Sequence, residues 1–432
     1  MTPARVGLIR LLGSVEMARA YTLATLGATF GSFAIERMTS PSTFATIILL
    51  LCALGAAILF VRREEISLLR FAPFSLLAFL ALTLISMLWS TDRADTFFGW
   101  LWTFGFAFLA ITVGHLRDTL QTVRAIGDTL RVLLVTSLLL EILSGILIDL
   151  PIVFLSIEGN LAAGGPIQGI FGTRNMLGFI AVIALITFVI EWRTQSVVAP
   201  VAIPSIALAG FLALLSASPT VLVLAVIVGV VTAALTLVRH TPASRRNIVQ
   251  WVLGAAATAS VIVAFALRHP IIAWMGAGSD FSTRADLWNQ ILDFVAIRPF
   301  QGWGWFGSWQ RGEYPFTYIN FLLDDHHQTA LNSFFDVLLQ LGIAGLLLFL
   351  ILGAVALIRS WLVASVRRSV VYAWTPLVLV TLAVDSMFES FTIVGAGWFL
   401  LVLCALRAGQ SRSWRENIDA ANTGVIPTLP SQ

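Results

Sequence analysis

Two arginines stand in polar interruptions of a chain that is otherwise strongly apolar: Arg174, in GIFGTRNMLG, and Arg284, in STRADLW. A guanidinium stays charged and presents a planar fork of donors that matches the oxygens of a phosphate or diphosphate. The structural alternative for both is pairing with nearby acids such as Asp280, Asp286 or Glu158. A second group is Asp324-Asp325-His326-His327. Histidine titrates near neutral pH, so His327 or His326 could take a proton from a hydroxyl. Neighbouring side chains on a helix point in different directions, which makes this a poor metal cage, and no metal site is expected. The alternative is a polar cap at a helix start. A third group is aromatic: Trp288, and Trp303 and Trp305 in PFQGWGWFGSW. Their faces could stack on sugar rings, or could belong to an interfacial tryptophan belt. Four acids lie in or near apolar runs, Glu141, Asp149, Asp385 and Glu389. Such acids usually serve function, though sequence names no partner for them.

The elements that must position these groups are membrane helices. The chain has 432 residues, 58% hydrophobic and 11% charged, against about 25% charged in a soluble domain. Its mean hydropathy is +0.91. Residues 43–61 (TFATIILLLCALGAAILFV) and 220–238 carry no charge and are long enough to span a bilayer. Alternation suited to a barrel is absent, so helices are the remaining way to pair backbone groups in lipid. Cys52 and Cys404 lie inside apolar runs and suggest neither a disulfide framework nor a thiolate metal site. No lysine occurs, which excludes a Walker A phosphate loop and Schiff-base chemistry.

The fold class read from this is all-α: a polytopic membrane protein of about 12 spans forming one transmembrane domain over 1–432. The spans fall near 20–36, 43–61, 71–89, 97–115, 130–149, 176–190, 199–217, 220–238, 248–267, 331–358, 371–388 and 392–406. Residues 1–19 read as an interfacial helix. With the N-terminus inside, 19 arginines fall on the cytoplasmic side and 7 on the other, which places both termini in the cytoplasm. Two outer loops are long, about 150–175 and 268–330. The second, with a helix-like stretch from Thr283 to Ile297, is expected to fold as an extracytoplasmic cap. The tail 410–432 is polar and reads as flexible.

Three stretches, in order, resemble the O-antigen ligase and polymerase superfamily, which includes exopolysaccharide-production proteins. They are GIFGTRNMLG (Gly169 to Gly178), STRADLWNQILDFVAIRPFQGWGWFG (Ser282 to Gly307) and LNSFFDVLLQLGIAGLLLF (Leu331 to Phe349). LWSTDRADT, Leu88 to Thr96, is similar to the outer turn after the family's third span. Asn332, Gly342 and Gly345 keep the family's spacing, but the family histidine is Leu331 here, with His327 four residues earlier. The serine–x–serine–basic segment reads Ser216-Ala217-Ser218-Pro219, so its basic residue is lost.

The resemblance implies an inner-membrane glycosyltransferase, a polysaccharide polymerase or ligase. Its donor would be a polyprenyl-diphosphate-linked glycan and its acceptor a glycan hydroxyl on the outer face, with no cofactor, metal or nucleic-acid partner. Arg284, then Arg174, would hold the diphosphate; His327, then His326, would act as base. Trp288, Trp303, Trp305 and Asn332 would contact glycan. Two other readings stand beside it: a lipid-glycan flippase or other secondary transporter, whose mark would be charge lining the spans, and a catalytically inactive relative, motivated by Leu331 and Pro219.

Overall fold

The computed structural model describes residues 3–65, 71–267, 270, 278–310 and 312–410. Arg70, Arg268, Trp274, Arg311, the side chains of Arg5 and Asp280, and the tail beyond 410 lie outside the described residues. The chain is helical throughout them; the one extended feature is an isolated bridge between Ile152 and Ile157.

Helix starts follow capping chemistry. A short helix α1 (Pro3–Leu12) precedes α2 (Val15–Phe30), capped by Ser14, and α3 (Ser32–Met38). Ser40 caps α4 (Pro41–Val61), whose proline occupies a first-turn position where no amide is needed. After α5 (Phe74–Ile85), α6 (Arg93–Leu116) starts on Asp92 and α7 (Thr119–Ile142) on an Asp118/Gln121 capping box. Thr173 caps α8 (Arg174–Arg193). Then follow α9 (Ala199–Leu215), α10 (Pro219–His240) and α11 (Ala243–Ala266). The large loop contributes α12 (Gly278–Ile297) and α13 (Phe316–Leu323). Asn332 caps α14 (Ser333–Val366), followed by α15 (Trp374–Asp385) and α16 (Gly395–Gln410).

Among the described residues six helices are long and apolar enough to cross a membrane: α4, α6, α7 with its continuation to Ile148, α8, α10 and α14. Shorter apolar helices lie at Phe74–Leu88, Ala199–Leu215, Val370–Asp385 and Gly395–Gln410. The expected spans at 20–36 and 248–267 fall in neither set; α2 and α3 meet at a break at Gly31, which divides the first of them. This is an integral, all-helical membrane protein. Helix α8 is central, with 72% of its apolar window buried, whereas 22% of that of α10 is, leaving α10 a lipid-facing surface.

Two apolar cores divide the work. One runs between the helices from Ala18 to Ala408. The other belongs to the large loop: Leu287, Ile291 and Phe294 of α12 pack with Trp303, Phe306, Trp309, Phe316 and Ile319, and with Ala330 and Leu339 at the start of α14. The loop is therefore a packed body. Its seat is a break in α14. Gly342 has φ 65° and ψ −165° inside the helix, and the interruption lets Ile343 and Ala344 donate to the carbonyls of Pro299 and Phe300. In return Trp303 and Gly304 donate to the carbonyls of Leu339 and Gln340. A side chain at Gly342 would place its Cβ 2.4 Å from the Phe300 carbonyl, so glycine serves here both for its conformation and for close approach. The 88–96 turn locks on as well: Trp89 donates its indole N–H to Gln301, and Arg298 donates to the Trp89 carbonyl.

Candidate functional site

Arg284 lies in the first half of α12, half-buried, and is the hub of the site. Its Nη1 donates to the Leu331 carbonyl at 3.1 Å and to the Phe388 carbonyl; its Nη2 pairs with Glu389 at 2.9 Å. Glu389 lies in the turn between α15 and α16. Burial raises the pKa of its carboxyl above the ordinary value, against the pull of Arg284. The same Glu389 oxygen accepts from Asn175 Nδ2 at 2.7 Å, and Asn175 Oδ1 accepts from the Ser218 hydroxyl at 2.7 Å. One chain of contacts thus ties the starts of α8, α10 and α14 to α12. Three helix N-termini, with their positive dipole ends, share this end of the bundle. Pro219 stands at the first turn of α10, so the expected loss of a basic residue there also gives a residue that fits a helix start.

The histidines separate. The chain from Asp324 to Asn332 is not helical, and α14 begins only at Ser333. A continuous helix from about Asp325, which would stack His327 one turn above Leu331, is therefore absent. Instead Asn320 clamps the loop: its Oδ1 accepts from the His327 amide at 3.0 Å and its Nδ2 donates to the His327 carbonyl at 2.9 Å. The His327 ring turns inward, with 10% of its side chain exposed, while His326 is exposed. Nε2 of His327 lies 3.2 Å from Asp325 Oδ2 but not in hydrogen-bond alignment, and it has no aligned partner among the described residues. Burial holds the imidazole below its ordinary pKa of 6.5; Asp325 opposes this and the neighbouring charge of Arg284 adds to it. A neutral imidazole beside a guanidinium is the combination a base needs.

A second carboxylate holds the two segments together. Asp336, wholly buried in the first turn of α14, accepts from Trp309 Nε1 at 2.6 Å, from the Ala330 amide at 2.9 Å and from the Ser390 hydroxyl. It thereby fixes both the loop that carries His327 and the turn that carries Glu389. Sequence reasoning passed over Asp336, Asn175 and Ser218, although all three lie inside or beside the quoted motifs.

The remaining expected residues are placed as follows. Arg174 starts α8, next to Asn175. Trp288 donates its N–H to the Ala330 carbonyl and stacks on Phe335. Asn332 is buried, caps α14 and donates to the Met387 carbonyl. Trp303 and Trp305 are buried; their N–H groups go to the Phe294 carbonyl and to Thr103, and Arg298 lies over the Trp303 ring. They support the loop and show no open face to a sugar. Glu141 accepts from the amides of Gln168 and Gly169 and anchors the 150–175 loop. Asp385 is buried, with neither carboxylate oxygen hydrogen-bonded among the described residues.

Every member of this cluster from Arg174 to His327 falls within one homologous stretch. Residues 161–350 match the O-antigen ligase family. The matched stretch begins in the 150–175 loop and ends beyond the Gly342 break of α14, so it contains Arg174, Asn175, Ser218, Arg284, His327 and Asp336. Glu389 comes from outside it. No curated protein matches the chain. The match indicates a membrane enzyme of the ligase or polymerase type acting on glycans.

Proposed function

We propose that the chain transfers a glycan from a polyprenyl-diphosphate-linked donor to an acceptor hydroxyl at the outer face of the inner membrane, as a polysaccharide polymerase or ligase. The observation that carries this reading is the convergence of Arg284 and an inward-facing His327 on one end of the bundle. In the full reading the chain spans the membrane about 12 times, both termini are cytoplasmic, and this end faces outward.

Arg284 has five N–H donors, and the contacts above use three of them. The Nε–H and one Nη2–H remain for a phosphate oxygen of the donor. The acceptor oxygen attacks the anomeric carbon, the bond from that carbon to the diphosphate oxygen breaks, and the electron pair leaves with the diphosphate. The proton of the acceptor hydroxyl passes to the unpartnered nitrogen of His327. A single displacement of this kind inverts the anomeric centre. Fixed positive charge at the leaving diphosphate lowers the barrier because no reorganisation is required during the step. Arg174, one residue from Asn175, is the second diphosphate group in this scheme. The charges of this site, Arg284, His327 and Glu389, lie at helix starts and connecting turns rather than along a path through the spans, which favours transfer over transport of a lipid-linked glycan.

Arg284→Lys tests the reading. It retains charge but loses the fork, and loss of one transition-state donor reduces rate roughly a hundredfold or more. Cells whose sole copy carries this variant at normal level should accumulate lipid-linked glycan and make little polymer or ligated product. Normal product from such cells would refute the role.

A further inference from the structure

Beside the Arg284 cluster lies a cavity of about 340 Å³ that the diphosphate chemistry does not use. Its walls come from α3, the starts of α4 and α6, the 306–310 turn and the 393–398 segment. The last two are continuous with residues already placed at the site: Trp309 donates to Asp336, and Ser390 donates to the same carboxylate. The same two segments thus border the cavity and, through Trp309 and Ser390, reach the carboxylate that positions the Arg284 site.

The lining differs sharply from the first compartment. No arginine or histidine is among its described lining residues, and Glu36 is there, half-buried. Among the described lining residues a diphosphate would meet a carboxylate and no cation; the charge that acts on Glu36 is that of Arg37, the next residue of α3. Trp102 presents a ring partly open to the outside, held parallel to Phe44 at 5.8 Å and to Phe106 at 5.9 Å. Ser308 and Gln310 add a hydroxyl and an amide. The floor is rigid: Trp398 and Trp305 both bond Thr103, through its carbonyl and its hydroxyl. A carboxylate that accepts from paired hydroxyls, an amide that both donates and accepts, and a flat aromatic platform form a chemistry suited to uncharged sugar rings. An acyl chain would match the rings but leave Glu36 facing hydrocarbon, which is costly.

We propose that this cavity is the subsite for neutral sugar units of the acceptor glycan, separate from the donor's diphosphate site; the inference rests on the glycosyltransferase reading. The test uses full-length protein, with glycan output measured in cells carrying each variant as sole copy and binding of polyprenyl diphosphate measured on the purified protein. Glu36→Gln, which is isosteric, and Trp102→Ala should each lower output by about tenfold and leave polyprenyl diphosphate binding intact; Trp102→Tyr should restore output. Arg284→Ala should lose polyprenyl diphosphate binding. Normal output from both Glu36→Gln and Trp102→Ala would overturn the subsite. So would loss of diphosphate binding in either, which would make the cavity part of the donor site. Output that is indifferent to Glu36→Gln and restored by Trp102→Leu would also overturn it, identifying an acyl chain as the occupant. An Arg284→Ala protein that retains both binding and output would instead remove the reading on which the subsite depends.

Discussion

Exchange of Asp336 for asparagine probes the carboxylate that joins the two halves of the site. Every group around it donates: Trp309 Nε1 at 2.6 Å and Gln340 Nε2 at 3.5 Å on Oδ1, the Ala330 amide at 2.9 Å and the Ser390 hydroxyl on Oδ2. Asparagine retains one acceptor and replaces the other by an NH₂. In one orientation that NH₂ meets the Trp309 indole N–H; in the other it meets the Ala330 amide. Neither of those groups can turn to accept, and the site is fully buried. A hydrogen bond to a charged group contributes about 1.5–3 kcal/mol, and a buried donor without an acceptor costs about 1–3 kcal/mol more. Asp336→Asn should therefore destabilise by about 3–5 kcal/mol, and Ser390→Ala, which removes one donor, by about 1–2 kcal/mol. Denaturant unfolding of the purified protein in a mild detergent, followed by tryptophan fluorescence, measures both. An asparagine variant as stable as the wild type, or more stable than Ser390→Ala, would refute the all-donor account of this cradle.

Other expectations follow from the same geometry. Since the native His327 imidazole binds its proton less readily than an ordinary histidine, the acid limb of the pH–rate profile should fall below pH 6.5, and His327→Ala should lower the rate and abolish that limb. By linkage, the contribution of His327 to stability is present above its ordinary pKa and declines as pH falls below it, because the unfolded chain binds that proton more tightly. Leu331 adopts φ 50°, a conformation histidine tolerates better than leucine, so His327→Ala combined with Leu331→His should recover glycan output lost in His327→Ala; no recovery would show that the base cannot sit at position 331. Gly342→Ala should cost about 1–3 kcal/mol from its backbone conformation alone and loosen the large loop, visible as faster proteolysis between 299 and 310. Reporter fusions after residues 165 and 310 should report the outer side and those after 243 and 365 the cytoplasmic side; a cytoplasmic report at 310 would place Arg284 on the wrong face for the proposed reaction.

Much of the architecture is legible from hydropathy, because a span such as 43–61 can be nothing but a helix in lipid. The helix predicted from Thr283 to Ile297 lies within α12, and the order of the three motifs places the match at 161–350. What stayed hidden has physical causes. The pairing of Arg284 with Glu389 joins groups 105 residues apart, and sequence spacing carries no information about such a contact; nearer acids such as Asp286 were the natural candidates. The start of α14 at Ser333 lies close to the expected 331, but Asn332 as its cap, accepting from the amides of Phe334 and Phe335, and the non-helical path of Asp324 to Leu331 are set by tertiary contacts rather than by local sequence. Buried tryptophans such as Trp305 were indistinguishable from exposed ones until packing showed which faces are covered. The two-helix start at Val15–Phe30 and Ser32–Met38 was hidden by an apolar run that continues across the break at Gly31.

The most direct measurement is reconstitution. Purified protein in proteoliposomes, supplied with a polyprenyl-diphosphate-linked glycan and its acceptor, should release one polyprenyl diphosphate for each glycan transferred. Arg284→Lys should reduce that release roughly a hundredfold or more, and His327→Ala should lower it and remove its acid limb. Wild-type protein that transfers no glycan, or an Arg284→Lys protein that transfers it at the wild-type rate, would contradict the account.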